Sequence, residues 1–472
     1  MIMHNKFELD PRFKEAEEKY GKEVALALYD HVSTIGKEFY LWLTTLFVPR
    51  KCVCENFDKD GNRICLLPKD KCGNYKCHGG GFYYSNSARD NEEFEIDIES
   101  TVQALHFLMT SGMTRNYKNG IADALPRQMQ LDVCAFAKSL QSDVDGYFYH
   151  PQWGENITPS RKGRDLRWAT MILNNFGDMP LYDTKNGAKG SLGAPKGAHN
   201  DDPEETKEKT TWIPELRTIE SFTEYLDAMD LRANSYSSFN NINAIAEQIA
   251  SRDNKALEDG ENLQVGFRKT LEENFNSRQN KENGLWEEKV SYRSSNGLMK
   301  LVTSYNVLGI KLQNAIKAFR SAMEVALLSP DECDVHGAKA SASVDVFNPW
   351  VSMRAIRYNA ECFGDKEDLD VIDSLLSENL VALIRNTTEK TKKFKKPDGS
   401  FGYTWDYSPY KSQGAPVAIP QTIEGDVNGG TIAVGGILGH MCVALGLEKI
   451  PIYSQEDLDE YIKIIKRNGG YR

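Results

Sequence analysis

The chain has 472 residues, 40% hydrophobic and 26% charged, with a formal net charge of -11 and a pI of about 5.4. That is ample for a large buried core, and the acidic balance disfavours a phosphate backbone as a partner. No run approaches the ~18 consecutive apolar residues of a membrane span, and the N-terminal MIMHNKFELDPRFKEAEEKYG lacks the apolar segment of an export signal. Neither nucleic acid nor membrane is therefore expected as a partner, and a cytoplasmic location is expected.

The first predicted element is helical, from Asp10 to about Val48, with Phe13, Ala16, Tyr20, Val24, Leu28 and His31 at three- and four-residue spacing. A cysteine-rich insert at 50–78 follows. It gathers Cys52, Cys54, Cys65, Cys72 and Cys77, with His78 directly after. In a reducing compartment such a group suits a structural zinc ion, which would staple a loop too short for its own core. The spacing is not that of paired Cys-x-x-Cys knuckles, so disulfides and free thiols stay open. Cys134, Cys333, Cys362 and Cys442 stand apart in apolar helical surroundings and read as small core residues.

Beyond the insert, helix-like runs begin near Asp97, Pro126, Arg164, Thr218, Ser237, Gly297, Asp345, Lys366, Gly429 and Gln455, while strand signals are few. The fold class is all-α. Residues 185–210, rich in glycine, proline and charge, read as an exposed loop or lid. Residues 252–282 are highly charged with few apolar positions, and predict a solvated helix or an oligomer contact.

A glycine-aromatic phrase recurs before several of these helices: Gly80-Gly81-Phe82, Asp145-Gly146-Tyr147, Asn283-Gly284-Leu285-Trp286 and Asp398-Gly399-Ser400-Phe401. Degenerate copies fill the gaps: Thr211-Trp212-Ile213-Pro214 before the helix at Thr218, and Asn348-Pro349-Trp350 inside the helix run from Asp345. The interval of about 50 to 70 residues leaves room for one helical hairpin, and hairpins that cannot bury their own apolar faces must stack. Glycine permits the tight turn, and the aromatics wedge between helix ends.

On these residues the chain resembles the α/α-toroid superfamily, which includes six-hairpin glycosidases, toroidal polysaccharide lyases, and the terpenoid cyclases with the protein prenyltransferases. Asp398-Gly399-Ser400-Phe401 is similar to the Asp-Gly-Ser-Trp turn of the cyclase repeats. The resemblance implies a single domain over 1–472, a toroid of about six helical hairpins with the phrase loops at one end, and one cavity there. These folds host unrelated reactions, so chemistry must come from the site.

The residues expected around that cavity are charged and aromatic. Glu99, Asp165, Tyr292, Asp426 and His150 are the candidate catalytic groups. Arg89, Asp97, Tyr149, Trp153, Arg164, Arg167, Arg293, Trp405, Tyr407 and Asn428 are the candidate substrate-binding groups. Arg161, Asn296 and Glu424 belong to the same set. Aromatic faces stack on sugar rings, and charged groups bond their hydroxyls. The expected substrate is thus an oligo- or polysaccharide. Two carboxylates would serve a hydrolase; a base with arginines neutralising a uronate would serve a lyase. The arginine excess favours an anionic saccharide.

Each residue also has a plainer reading. Asp97 and Asp165 suit helix starts, His150 a packed loop, and Arg164 and Arg167 surface ion pairs. Two alternatives remain: a non-catalytic saccharide-binding protein, or a terpenoid enzyme. Against the latter, Asp143-Val144-Asp145-Gly146 lacks the last acid of an Asp-x-Asp-Asp motif. Asp331-Glu332-Cys333, with His336 or His440, offers only a short match to a prenyltransferase zinc site.

Overall fold

The computed structural model describes residues 10–50, 59–61, 79–184, 213–258, 260–261, 265–469 and 471. The insert's cysteines, His78 and the 185–210 loop lie outside the described residues, as do Thr211 and Trp212. The fold is mostly helical, as the periodicity requires. The helices are α1 (Lys14–Tyr20), α2 (Lys22–Ser33), α3 (Glu38–Leu46), α4 (Asn86–Arg89), α5 (Ile98–Thr110), α6 (Ile121–Ala124), α7 (Arg127–Ser139), α8 (Pro159–Asn175) and α9 (Ile219–Asp227). They continue with α10 (Ser235–Glu258), α11 (Phe267–Arg278), α12 (Tyr292–Leu308), α13 (Ala315–Leu327), α14 (Ser343–Phe363) and α15 (Lys366–Phe394). Last come α16 (Val427–Gly430), which a π-helical stretch (Thr431–Gly436) joins to α17 (Ile437–Ala444), and α18 (Gln455–Gly469). Two short antiparallel pairs complete it: β1 (Phe47–Val48) with β2 (Gly81–Phe82), and β3 (Lys411–Ser412) with β4 (Ala415–Pro416).

The chain divides into two compact units. Unit 1 lies within Met1–Thr34, Gly193–Lys393 and Ile437–Glu448; unit 2 lies within Ile35–Leu192, Phe394–Gly436 and Lys449–Arg472. In unit 1, α10 lies along α12, α12 along α14, and α14 along α17. In unit 2, α5 packs against α8 on one side and against α16 and the π-helical stretch on another.

The recurring phrase is one structural device. At the end of α7, Gln141 bridges to Phe148 and Tyr149 N donates to Leu140 O at 2.8 Å. At the end of α15, Lys395 bridges to Phe401 and Gly402 N donates to Phe394 O at 2.9 Å. At the end of α3 the same return is the β1–β2 pair, with Tyr83 N donating to Leu46 O at 3.0 Å. In unit 1, after α11, Asn280 N donates to Leu285 O at 2.7 Å. The chain thus folds back on a helix end each time, and the turn glycine takes positive φ. At Gly284 (φ +71) a side chain would also meet Ala318 N at 2.4 Å. The aromatics are core: Phe82, Tyr147, Phe148, Trp286 and Phe401 are all buried.

Asn348-Pro349-Trp350 lies inside α14, as the helix run from Asp345 predicts, and Trp350 Nε1 donates to Thr387 Oγ1 at 2.9 Å. Three expectations are corrected. The first helix is three, because Gly21 (φ +86) separates α1 from α2 and Gly36 (φ +71) precedes α3. The charged 252–282 stretch is not one solvated helix. It ends α10 and forms α11, which buries Phe267, Leu271 and Phe275 at four-residue spacing. Finally, Cys333 and Cys362 are exposed, whereas Cys134 and Cys442 are buried. Among the described residues one helical run, Val427–Ala444, is long and apolar enough to cross a membrane, and 67% of it is buried within the protein.

Candidate functional site

The site is built in unit 2 on the starts of α5, α8 and α16. Asp97 caps α5 and Asp426 caps α16, and both are seated by the phrase. Asp97 N donates to Phe82 O at 3.4 Å and Asp426 N to Phe401 O at 3.0 Å. Their carboxylates then accept Ser100 N (3.1 Å) and Gly429 N (2.6 Å). Satisfying orphan amide donors at a helix start is the ordinary work of aspartate.

One turn into α8, Arg161 is fully buried and divides its guanidinium among three carboxylates. Nε donates to Asp165 Oδ2 at 2.9 Å, Nη1 to Glu99 Oε2 at 3.2 Å, and Nη2 to Asp97 Oδ1 at 3.3 Å. Its plane lies 4.8 Å from the Trp153 ring, which stacks on His150 at 4.1 Å. Arg164, with its side chain 21% exposed, reaches Glu99 Oε1 at 2.8 Å. The β3–β4 hairpin covers this network: Ser412 Oγ donates to Glu99 Oε2 at 2.6 Å, and Ser412 O accepts Arg161 Nη1 at 3.3 Å.

Three buried carboxylates beside two guanidinium groups leave an unequal division of charge. Burial works to raise the Glu99 carboxyl, but Arg164, Arg161 and the Ser412 hydroxyl overcome it and hold Glu99 below the ordinary range. Asp165 goes the other way. Burial, reinforced by Glu99 and Asp97, outweighs Arg161 and pushes it up to about 7. Its Oδ1 is buried without a hydrogen-bond partner. Asp426 is also raised by burial, against donation from Gly429 N, Tyr403 N, Ser408 and Tyr84. Tyr84 links the two halves: it bonds Asp426 and feels Glu99, and burial lifts its hydroxyl well above the ordinary tyrosine value.

Of the predicted residues, the structure therefore brings together Asp97, Glu99, His150, Trp153, Arg164 and Asp165, with Asp426 joined through Tyr84. His150 serves packing. Its Nε2 faces Ile96 O at 2.8 Å, its Nδ1 accepts Gln152 N at 3.2 Å, and burial lowers its pKa. Glu424 accepts Ser85 Oγ (2.8 Å) and Ser87 N (2.7 Å), which ties it to α4.

The remaining predicted residues do not join the network. Arg89 pairs with Asp90 at 2.7 Å and Tyr149 bonds Asp145 at 2.6 Å. Arg167 and Tyr407 are exposed, Asn428 is half-buried in α16, and Trp405 packs on Phe394 at 6.1 Å. Tyr292 and Arg293 belong to unit 1, where Arg293 pairs with Glu287 at 3.0 Å. Arg161 stood in the predicted set without a role, and Ser412 gave no sequence signal.

Among the described residues, no three histidine, cysteine or acidic side chains gather as metal ligands. His440, offered for a prenyltransferase-like zinc, meets Arg354 at 3.1 Å and the Phe347 ring instead.

In comparisons with known proteins, no family model matches the chain, no curated protein is similar to it in sequence, and no solved structure is similar to it in fold.

Proposed function

We propose that the protein is a carbohydrate-active enzyme of α/α-toroid architecture that hydrolyses a glycosidic bond, with Asp165 as proton donor and Glu99 as its anionic partner. One observation carries this reading. Two neighbouring carboxyl groups share Arg161, yet their surroundings push them apart, so that Asp165 keeps its proton near neutrality while Glu99 stays ionised. Such a pair is the acid and the carboxylate that glycoside hydrolysis needs. The unpartnered Asp165 Oδ1 leaves that acid an atom free to donate. The packing of alternate helices in unit 1, α10 on α12 and α12 on α14, supports the toroidal part of the reading.

Elimination is less well supported, because the His150 ring nitrogens are both engaged in packing contacts. The reading requires the β3–β4 hairpin to lift, since Ser412 covers Glu99 and Asp165 is only 1% exposed. A saccharide-binding role without catalysis is favoured by one fact: Asp97 and Glu99 are both satisfied inside the network.

The test is a panel of neutral and uronate oligosaccharides. New reducing ends, lost by a factor of about 100 or more in Asp165→Asn, support hydrolysis by a general acid. An ultraviolet-absorbing unsaturated uronate product would replace hydrolysis with elimination, and binding without either product would leave the binding reading. The structural zinc of the insert and the cytoplasmic location remain proposals on composition. Metal analysis of the purified protein checks the zinc, and a zinc content near zero with reduced thiols would dismiss it.

A further inference from the structure

Two half-buried arginines of unit 1 show how this chain settles a guanidinium that has partly left water. Arg357 on α14 pairs with Asp373 at 2.7 Å. Arg278, at the end of α11, donates to the carbonyls of Leu226 and Met229 at 2.9 and 3.2 Å. Arg354, one turn before Arg357 and also half-buried, does neither. Among the described residues its one hydrogen bond runs from Nη1 to His440 Nδ1 at 3.1 Å, and no carboxylate lies within ion-pair distance of it. The chain has 68 acidic residues against 57 Lys and Arg, so this cation goes without a carboxylate where carboxylates are in excess.

The surroundings of Arg354 are fixed. Phe347 and Arg354 lie seven residues apart on one stripe of α14, about 10 Å along its axis. His440 of α17 reaches both, with its ring edge-on to Phe347 at 4.7 Å. A guanidinium cannot accept a hydrogen bond, so Nδ1 is the bare nitrogen of a neutral imidazole. The ring therefore orients Arg354 without taking its charge. All three side chains are half-buried and so remain within reach of solvent. Gly439, directly before His440, leaves room on α17: it has no positive φ that would demand glycine, and a side chain there would meet no atom within 4 Å.

A partly dehydrated cation without a counter-ion calls for negative charge. The guanidinium offers its N–H groups in a rigid fork, which matches the paired oxygens of an oxyanion. We propose that Arg354, oriented by His440 and flanked by Phe347, is a binding site in unit 1 for the oxyanion group of a small molecule, a phosphate or a carboxylate. The site stands on unit 1 alone and does not rest on the glycosidase reading.

The test titrates the whole chain with inorganic phosphate, acetate and chloride at constant ionic strength, by calorimetry and by thermal melts, for the parent, Arg354→Gln and His440→Asn. Arg354→Gln keeps a polar side chain and removes the charge. It is expected to weaken oxyanion binding at least about tenfold, as loss of a charge-assisted hydrogen bond does. His440→Asn keeps an acceptor for Arg354 and is expected to weaken binding less. The melting midpoint of the parent should rise with the bound anion, and that of Arg354→Gln should not. Phosphate binding tighter than acetate assigns a phosphate group to the site, and the reverse order assigns a carboxylate.

Undiminished binding by Arg354→Gln, chloride matching both oxyanions, or no binding of either oxyanion by the parent would each overturn the site. None of these readouts involves a glycan, so failure of the site leaves the Asp165–Glu99 reading standing, and absence of glycan cleavage leaves the site standing.

Discussion

Two clusters of ionisable groups, one in each unit, treat buried charge differently. In unit 2, Arg164 and Arg161 hold Glu99 ionised in the interior, while burial pushes Asp165 up to about 7 beside the same Arg161. In unit 1, Lys390 and Asp345 have no such ion-pair partner within bonding distance among the described residues. Lys390 is buried against the last turn of α13, donating to Ala326 O at 2.8 Å, and burial pulls it down to about 7. Asp345 at the start of α14 accepts Asn296 Nδ2 and Ala342 N, both at 3.2 Å, and burial pushes it up to about 6. The first cluster holds the Glu99 charge by ion pairing; Lys390 and Asp345 of the second are both shifted toward their neutral forms. Charge that is paired costs stability when one partner goes, whereas charge that is given up costs stability only in the pH range where it must return.

The largest effect that separates the two is the loss of Arg161. Arg161→Met removes the guanidinium that three buried carboxyl groups share and is expected to cost about 3–5 kcal/mol in urea unfolding. Adding Asp165→Asn should recover part of that loss. If Arg161→Met proved neutral, the network would not be the charge-paired interior described above.

The next effect is in pH. An aspartate whose folded value is about 7 contributes stability that is fully present below its unfolded value and lost as pH rises through 7. Relative to Asp165→Asn, the parent should therefore lose stability between about pH 4 and 7, with a slope of no more than ~1.4 kcal/mol per pH unit. Lys390 behaves oppositely. With a folded value of about 7 it binds fewer protons than the unfolded chain between about pH 7 and 10.4. The parent should gain stability there relative to Lys390→Met. Slopes of opposite sign would show that the acid and the base are both pushed toward their neutral forms by burial, and a flat profile in either comparison would remove that group's shift.

The phrase and its consequences were legible because they are local. A glycine at positive φ and an aromatic beside it leave a sequence trace, and so does an aspartate before a helix, so Asp97 and Asp426 stood out as helix-start residues. The helix starts followed from apolar spacing. What was hidden is non-local. Arg161 looks like any helix-start arginine until Glu99 and Asp97, 62 and 64 residues earlier, arrive beside it. Ser412 reaches Glu99 across 313 residues. His150 and Trp153 do come together with the network: the buried His150 faces the Ile96 carbonyl, and the half-buried Trp153 stacks on it and on Arg161.

The smallest expected effect comes from Arg293 in unit 1, and it sharpens the comparison from the opposite end. Arg293 pairs with Glu287 at 3.0 Å, nearly the spacing found around Arg161, but its side chain is 51% exposed. Water competes for the guanidinium, and salt screens what remains. Glu287 also keeps Ser235 Oγ as a donor at 2.7 Å when the arginine is removed. Arg293→Ala should therefore cost less than about 1 kcal/mol in the same urea measurement, and added salt should shrink it further. A cost as large as that of Arg161→Met would mean that bond length, rather than burial, governs what an ion pair is worth in this protein.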